Sequence, residues 1–288
     1  MRVDTAAASI NLLCGGEGFP LLLLHGYPQS HVCWHRIAGE LARHFRVIAP
    51  DLRGYGDSEG PPPGPSGEGY TFGDMAADQL EVMTKLGHGK FFVAGHDRGG
   101  RVAHRLALDH PARALRVAMV DILPTFHLWN APVRDWVLRS WHWSFMAQPA
   151  GLAERMIESV PPAEFLPAIM SRPGADLSVF APEAYAEYLR CFTPKTIRAA
   201  CADYRACATI GFARDAADRA RKVKIPTLVV WGSHSHTAAA KPDVLTIWKE
   251  YCRDVVGRPI EGGHFLPEQS PGPLLQALLD FFPGPRER

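Results

Sequence analysis

The sequence lacks several features that would assign it to a specialised class. Its 31 basic and 30 acidic side chains leave a formal net charge of +1, which is too small to predict binding to nucleic acid or to an anionic membrane. No apolar run approaches the roughly 20 residues that span a bilayer, and the first residues are too polar for a signal peptide. We therefore expect a cytoplasmic protein whose partners include neither nucleic acid nor a membrane.

Paired cysteine motifs are absent as well. The six cysteines show no CxxC spacing. This distribution argues against a zinc site and for free thiols in a reducing compartment. We expect no bound metal.

Residues 91–108 are the most informative stretch. An apolar run predicts a buried strand, and a helical pattern begins soon after it. Between them, Gly95-His96-Asp97-Arg98-Gly99 matches the G-x-nucleophile-x-G turn of the α/β-hydrolase fold, with an aspartate where many esterases carry serine. A carboxylate is ionised at neutral pH and can attack carbon without the help of a base. The motif predicts Asp97 as a nucleophile that forms an ester.

Two arginines follow this aspartate in the first turn of the predicted helix. Arg98 and Arg101 are three residues apart and can point the same way. A helix N-terminus favours anions, and guanidinium groups bind carboxylates bidentately. The pair predicts an anionic substrate, with surface salt bridges as the alternative interpretation.

The order of apolar runs indicates the fold. An edge strand at the N-terminus, buried strands at 21–24, 47–49, 115–122 and 227–231, and a last strand at 255–260 suggest a parallel sheet. Helices are predicted at 34–45, 72–87 and 274–282. The aromatic stretch between the strands at 115–122 and 227–231 is too long for a loop. We predict an α/β-hydrolase fold, a mostly parallel sheet flanked by helices, with core residues 1–123 and 220–288 and an inserted helical cap domain at 124–219.

Hydrolysis of an aspartyl ester requires a general base and a group that orients it. His264 follows the last strand and a glycine pair, where this fold places its histidine. The loop after the strand at 227–231 usually supplies the acid but has no carboxylate. Asp121, at the end of the preceding strand, is the predicted acid; a capping role at the start of the cap domain is the alternative.

Donors for developing negative charge are also identifiable. The loop around Tyr27 and the N–H of Arg98 are the expected oxyanion hole. The polar atoms of His142, Trp143 and Tyr204 suit a small departing halide in a dry pocket. Each of the three, taken alone, is as compatible with packing as with chemistry.

Several motifs along the whole chain point to one family. They are LLLLHGYPQSHVCWHRIA, DLRGYGDS, AGHDRGGRVAHRLALDHP, VDILPT, WHWSFMAQP, ADYRA and GGHFLPEQSP. Together they resemble the haloacetate and fluoroacetate dehalogenases of the α/β-hydrolase superfamily. Haloalkane dehalogenases and epoxide hydrolases usually have tryptophan rather than arginine after the nucleophile.

The resemblance implies a reaction and assigns roles. Asp97 would displace halide from the α-carbon of a haloacetate, with inversion at a chiral centre, while Arg98 and Arg101 hold the carboxylate. His264, paired with Asp121, would activate the water that hydrolyses the ester. His142, Trp143 and Tyr204 would bind the halide. The products would be glycolate and halide, without cofactor or metal, and members are often homodimers.

Two departures from the family pattern concern the substrate pocket. Tyr27 stands where the family usually has phenylalanine, which adds a hydroxyl near the substrate. The family also tends to have a tryptophan near residues 170–173, and none is present here. Both changes bear on substrate size and on the preference for fluoride over chloride.

Two other functions remain open. An epoxide hydrolase would use the same Asp97, His264 and Asp121, but would not need two arginines. Two cap tyrosines would protonate the epoxide oxygen, and the candidates are Tyr185, Tyr188 and Tyr204. A non-catalytic binder of small molecules on the same fold is the other alternative. Such proteins commonly lose a catalytic residue, whereas this sequence has a candidate for each.

Overall fold

An eight-stranded sheet runs through the centre of the computed structural model, which describes residues 1–130, 137–138, 140–171 and 176–283. The strand order is β1-β2-β4-β3-β5-β6-β7-β8. The first two strands pair antiparallel, as do β2 and β4, and the remaining pairs are parallel. The strands are β1 Arg2–Asp4, β2 Ser9–Gly15, β3 Phe19–Leu24, β4 Phe45–Pro50, β5 Phe91–His96, β6 Ala114–Val120, β7 Thr227–Gly232 and β8 Val255–Ile260.

The central strands are apolar because helices cover both faces of the sheet. All six residues of β5 are buried, and so are five of the six in β3. At the edge, β8 alternates between half-buried and exposed residues along most of its length. This architecture confirms the predicted α/β-hydrolase fold class.

Helices flank the sheet and fill the segment between β6 and β7. Thr71 starts the second helix with a capping box, in which its hydroxyl accepts from the Asp74 N–H at 3.1 Å and Asp74 accepts from the Thr71 N–H at 3.0 Å. The core helices are α1 His35–Leu41, α2 Phe72–Lys85, α3 Arg98–Asp109, α11 Val244–Lys249, α12 Leu266–Gln269 and α13 Pro271–Phe281. Between β6 and β7 lie α4 Thr125–Asn130, α5 Trp141–Met146, α6 Leu152–Glu158, α7 Pro162–Met170, α8 Pro182–Cys191, α9 Pro194–Ala208 and α10 Ile210–Ala217.

This helical segment contains no strand among the residues that the structure describes. The division into a core and a cap domain at residues 124 and 219 stays a prediction. Of the stretch 170–173, which lacks the tryptophan, Arg172 and Pro173 lie outside the described residues.

Two predicted elements have the wrong bounds. The helix predicted over 34–45 ends at Leu41, and Phe45 begins β4, where it pairs with Phe19. Leu41 and Phe45 are four residues apart, so their spacing fits a helical face as well as a new strand. The N-terminal stretch, predicted as one strand, forms the hairpin of β1 and β2.

The turn after β5 depends on close backbone packing. Asp97 has φ +48° and ψ −116°, a conformation that is strained for a residue with a side chain. A Cβ on Gly95 would lie 2.2 Å from the Gly99 carbonyl oxygen, and one on Gly99 would lie 2.4 Å from the Leu24 carbonyl oxygen. The glycines therefore let α3 begin directly against β3 and β5.

The described part of the chain contains no helix that is both long enough and apolar enough to cross a membrane.

Replacement of Gly99 by alanine should destabilise the protein by about 3 kcal/mol or more, because the new methyl group would overlap the backbone carbonyl groups of Leu24 and His25. At Gly272, in the first turn of α13, an added methyl group would have no neighbour within 4 Å. Gly272→Ala should therefore leave stability unchanged or raise it by up to about 1 kcal/mol. Denaturant unfolding of both variants checks this, and equal stability of the two would contradict the account of the turn.

Candidate active site

The predicted nucleophile lies at the carboxyl end of the sheet. Asp97 is 6% exposed, and its Oδ1 accepts a hydrogen bond from the Tyr27 N–H at 3.0 Å. Burial by itself raises the pKa of this carboxyl group, but His264, His96, Arg98 and the more distant Arg101 together lower it well below its usual range. Asp97 is therefore an anion at neutral pH, as a nucleophile must be.

The predicted base and acid are in contact with each other. His264 Nδ1 lies 2.6 Å from Asp121 Oδ2, and its Nε2 lies 3.7 Å from Asp97 Oδ2. The imidazole thus bridges two carboxylates, one at the end of β5 and one at the end of the neighbouring β6. This is the order of nucleophile, base and orienting acid that ester hydrolysis needs.

Two hydrogen-bond donors hold Asp121. They lie at the end of β7 and in the loop after it, where this fold usually has the acid itself. Asp121 Oδ1 accepts hydrogen bonds from the Gly232 N–H at 2.9 Å and from the Ser235 hydroxyl at 2.6 Å. Burial raises the pKa of Asp121, and the nearby His236 and these donors oppose that effect. The loop after β7 therefore supplies donors to the acid rather than the acid itself. Sequence reasoning missed Ser235, whose only signal was its place in that loop.

A second histidine in the turn has a supporting role. His96 Nε2 lies 2.8 Å from the His264 carbonyl oxygen and must donate its proton there. Burial lowers the pKa of His96 to about 4, and the charge of a protonated His264 adds to this effect. A neutral His96 therefore ties the end of β5 to the loop that bears the base. His96 is part of the motif around Asp97, but the motif assigns it no role.

Arg98 is fully buried and bound to a partner that the sequence analysis did not identify. Its Nε donates to Asp203 Oδ2 at 2.8 Å, and its Nη2 donates to Asp203 Oδ1. The Tyr55 hydroxyl donates to the same carboxylate at 2.8 Å. Asp203 lies next to Tyr204 in the ADYRA motif, which was its one sequence signal. Within the described residues, Arg98 Nη1 has no hydrogen-bond partner.

Arg101 is also buried. Its Nη1 donates to the Leu123 carbonyl oxygen at 2.8 Å and to the Thr125 hydroxyl at 2.9 Å, whereas its Nε has no partner in the part of the chain that is described. The guanidinium carbons of Arg98 and Arg101 lie 5.3 Å and 4.6 Å from the Trp143 ring centroid. The alternative of surface salt bridges is wrong for both residues.

The three predicted halide ligands lie together. Tyr204 on α9 has its ring centroid 5.5 Å from that of His142 and 5.6 Å from that of Trp143, both on α5. Tyr27, which is 1% exposed, lies 5.5 Å from Tyr204 by the same measure. The fold thus brings Tyr27 next to the predicted halide ligands as well as to Asp97.

A cavity of about 200 Å³ reaches His264, the predicted base, from the helical segment. Its lining includes His142, Ile169, His234, His236 and His264. Asp121, His236 and His264 also have donor atoms within 4.8 Å of one another, which is a set that a metal ion could use. The 2.6 Å contact between two of these three groups is that of a hydrogen bond, as the catalytic arrangement requires.

Comparison with known proteins places this geometry in a family. Residues 20–155 match the family model described as the alpha/beta hydrolase fold. A fluoroacetate dehalogenase from Burkholderia sp. is 37% identical over 280 residues, which cover 97% of this chain and 92% of that protein. The chain belongs to the haloacetate dehalogenase family of the α/β-hydrolase superfamily.

The same superfamily contains relatives with another activity. A soluble epoxide hydrolase from Corynebacterium sp. (strain C12) is 31% identical over 95% of this chain and 93% of its own length. A solved structure of an α/β hydrolase from Nostoc sp. PCC 7120 is 48% identical, with a TM-score of 0.94 over 98% of this chain and 96% of that one. The protein is thus an α/β hydrolase related to both dehalogenases and epoxide hydrolases.

Asp203→Asn should cost about 3–5 kcal/mol of stability, because it leaves the fully buried Arg98 without its carboxylate. Asp57 forms a comparable pair with Arg190 at 2.8 Å, but both side chains are about half exposed. Asp57→Asn should therefore cost less than about 1 kcal/mol. Chemical denaturation measures both, and a small loss for Asp203→Asn would show that the buried pair does not hold Arg98.

Proposed function

We propose that this protein hydrolyses short 2-haloacids such as fluoroacetate or chloroacetate to glycolate and halide. The observation that carries the proposal is the arrangement of Arg98 and Arg101 beside Asp97. Both guanidinium groups are buried, and each retains an N–H without a partner among the described residues. Buried charged donors of this kind are costly unless something fills them, and a substrate carboxylate would do so.

In the first step, Asp97 attacks the α-carbon of the haloacid. Oδ1 is engaged by the Tyr27 N–H, so Oδ2 is the oxygen that forms the new C–O bond. The C–halogen bond breaks as this bond forms, and the halide leaves with the electron pair. His142, Trp143 and Tyr204 supply polar hydrogens to the departing anion. The substrate is then a carboxymethyl ester of Asp97.

In the second step, His264 removes a proton from water, and the resulting hydroxide attacks Cγ of the ester. Asp121 orients the imidazole and stabilises its charged form. Negative charge develops on Oδ1, where the Tyr27 N–H already lies, with the N–H of Arg98 as the second donor. As this intermediate collapses, the C–O bond to the substrate breaks and the imidazolium of His264 returns its proton to the departing alkoxide, which leaves as glycolate. The carboxylic acid that remains on Asp97 then loses its proton to solvent, and the carboxylate nucleophile is regenerated.

An epoxide hydrolase is the second candidate function. Its support is the Corynebacterium relative and the position of Tyr204, whose ring lies against those of His142 and Trp143. The same Asp97 would open the epoxide, and a tyrosine hydroxyl would protonate the oxygen. A neutral epoxide leaves the two buried arginines without an anion to bind, which makes this function the weaker of the two.

Wild-type protein should release halide from chloroacetate and fluoroacetate, and Asp97→Asn should release none, because its amide is not a nucleophile.

His264→Ala should form the ester and fail to hydrolyse it. Intact-protein mass spectrometry of this variant after chloroacetate treatment should show one added carboxymethyl group, located on the peptide that contains Asp97. The double variant with Asp97→Asn is the control and should remain unlabelled. Diol formation from styrene oxide without halide release would instead favour the epoxide hydrolase.

Arg101→Lys should raise the KM for chloroacetate by at least about tenfold, since it removes a charged hydrogen bond that only a planar guanidinium can form. The control is Arg105→Lys. Arg105 is a buried arginine on the same helix, and its Nη2 lies 2.7 Å from Asp109 Oδ2. That variant should leave KM unchanged. An unaltered KM in Arg101→Lys would remove this arginine from the substrate site.

A further inference from the structure

A buried polar cluster outside the catalytic site joins two of the segments that form it to a helix of the segment between β6 and β7. Its members are Gln29, Tyr188 and Glu268, which are at most 2% exposed. None of them has a role in the chemistry proposed above. We refer to these three residues as the Glu268 cluster.

The contacts within the cluster converge on one oxygen. Glu268 Oε1 accepts hydrogen bonds from the Tyr188 hydroxyl and from Gln29 Nε2, the latter at 3.2 Å. Gln29 Nε2 also lies 3.3 Å from the Tyr188 hydroxyl. Both side chains that donate hydrogen bonds in the cluster therefore donate to Oε1 of the carboxyl group.

The remaining oxygens have no donor. Glu268 Oε2 and Gln29 Oε1 are both buried without a hydrogen-bond partner in the described residues. An ionised carboxylate can only accept hydrogen bonds, whereas a protonated carboxyl group brings a donor of its own. A neutral carboxyl group places no net charge on the unpaired Oε2, so a proton on Glu268 lowers the cost of burying this oxygen. Burial agrees with this, because it raises the pKa of Glu268 to about 7 against the opposing effects of Tyr188, Arg36 and Gln29.

Few charged or titratable groups face Glu268. His35 Nδ1 lies 3.8 Å from Oε2, but it also lies 2.9 Å from the Val32 carbonyl oxygen, to which it donates. Arg36 acts from a greater distance, and its Nη2 donates to the Val179 carbonyl oxygen. Burial raises the pKa values of the Cys33 thiol and the Tyr188 hydroxyl, and Glu268 adds to both shifts, so these two groups stay neutral.

Two members of the cluster belong to segments that form the site, and the third belongs to α8. Gln29 follows Tyr27 in the oxyanion loop, and its N–H donates to the Gly26 carbonyl oxygen at 2.9 Å. Glu268 lies on α12, four residues after His264, and its N–H donates to the Phe265 carbonyl oxygen at 2.9 Å. Tyr188 lies on α8 in the helical segment. One carboxyl group thus joins the Tyr27 loop and α8 to the helix that follows the His264 loop.

We propose that Glu268 is a positioning residue whose neutral carboxyl group fastens the oxyanion loop, the His264 loop and α8 to one another, and whose ionisation loosens them. Loss of the proton leaves a buried anion with an unpaired oxygen, a costly state that the protein relieves by moving the segments apart. The kinetic part of this inference rests on the proposed function; the stability part does not.

The direction of the pH effect follows from proton binding. The unfolded chain releases the Glu268 proton near its ordinary pKa of 4.5, and the folded protein keeps it until about pH 7. Between these values the folded state binds more protons than the unfolded state, so stability falls as pH rises. The contribution is fully present below pH 4.5 and is lost above pH 7.

Glu268→Gln mimics the neutral acid at every pH, because its amide supplies one acceptor and a fixed donor. Its melting temperature should match that of the wild type at pH 5 and exceed it by several degrees at pH 8.5. Glu17→Gln, at an exposed turn, is the matched control and should show no such difference between the two pH values. A melting temperature that falls equally at both pH values in Glu268→Gln would overturn the proposal.

Tyr188→Phe tests the same inference with the opposite sign. It removes a hydrogen bond that favours the ionised carboxylate, so its loss of melting temperature should be greater at pH 8.5 than at pH 5. An equal loss at the two pH values would contradict the inference, whether or not Glu268→Gln folds.

The kinetic measurement links the cluster to the site. The KM of the wild type for chloroacetate, relative to that of Glu268→Gln, should rise several-fold from pH 6 to pH 8.5, while the ratio for Glu17→Gln stays constant. A constant ratio for Glu268→Gln would remove the positioning role. Absence of halide release from every variant would count against the proposed function alone, since the melting temperatures would still decide the role of the Glu268 proton.

Discussion

The position of Asp97 depends on a backbone conformation that the side chain itself disfavours. At φ +48° and ψ −116° the residue is strained, and the surrounding structure must hold it there. The hydrogen bond from the Asp97 N–H to the Val120 carbonyl oxygen (3.3 Å) and the contact of Gly99 with the β3 backbone provide that constraint. Asp121, also at a positive φ of +52°, ends the neighbouring strand in the same way. The two carboxylates therefore leave the sheet as a pair, on either side of the His264 ring.

The charged side chains of the site lie beside groups of opposite charge. The Asp97 carboxylate faces two arginines and two histidines, which keep it ionised in spite of burial. Arg98 is in turn neutralised by Asp203, which also accepts a hydrogen bond from Tyr55. These ion pairs are buried, so their contribution to stability depends more on their geometry than on how many of them there are. Arg98 and Arg101 each keep one buried N–H without a partner in the described residues, and these two groups are the ones that we propose bind the substrate carboxylate.

Much of this site could be predicted from local sequence. The spacing of Gly95, Asp97 and Gly99 specifies a tight turn after a strand, and the place of His264 after the last strand follows from the topology of the fold. The partners of these residues could not be predicted, because Asp203 and Ser235 are distant in sequence from the groups they bind. Short-range patterns were also ambiguous for Phe45, whose spacing from Leu41 fits a helix although it begins β4. Contacts between residues distant in the sequence, and not local propensity, decided each of these cases.

The predicted acid, Asp121, directly follows β6. This position affects which parts of the site can change in sequence during evolution. Neighbouring parallel strands set the separation of Asp97 and Asp121, and their backbone register (Gly95 with Met119, His96 with Val120) leaves little freedom. Asp121 accepts one hydrogen bond from the Gly232 N–H, at the end of β7, and one from the Ser235 hydroxyl in the loop that follows. Substitutions after His236 can therefore alter the wall of the cavity while both of these hydrogen bonds to Asp121 stay in place. In this protein the loop after β7 is a part of the predicted site in which natural variation, or a library made in the laboratory, can change the cavity without replacing either carboxylate.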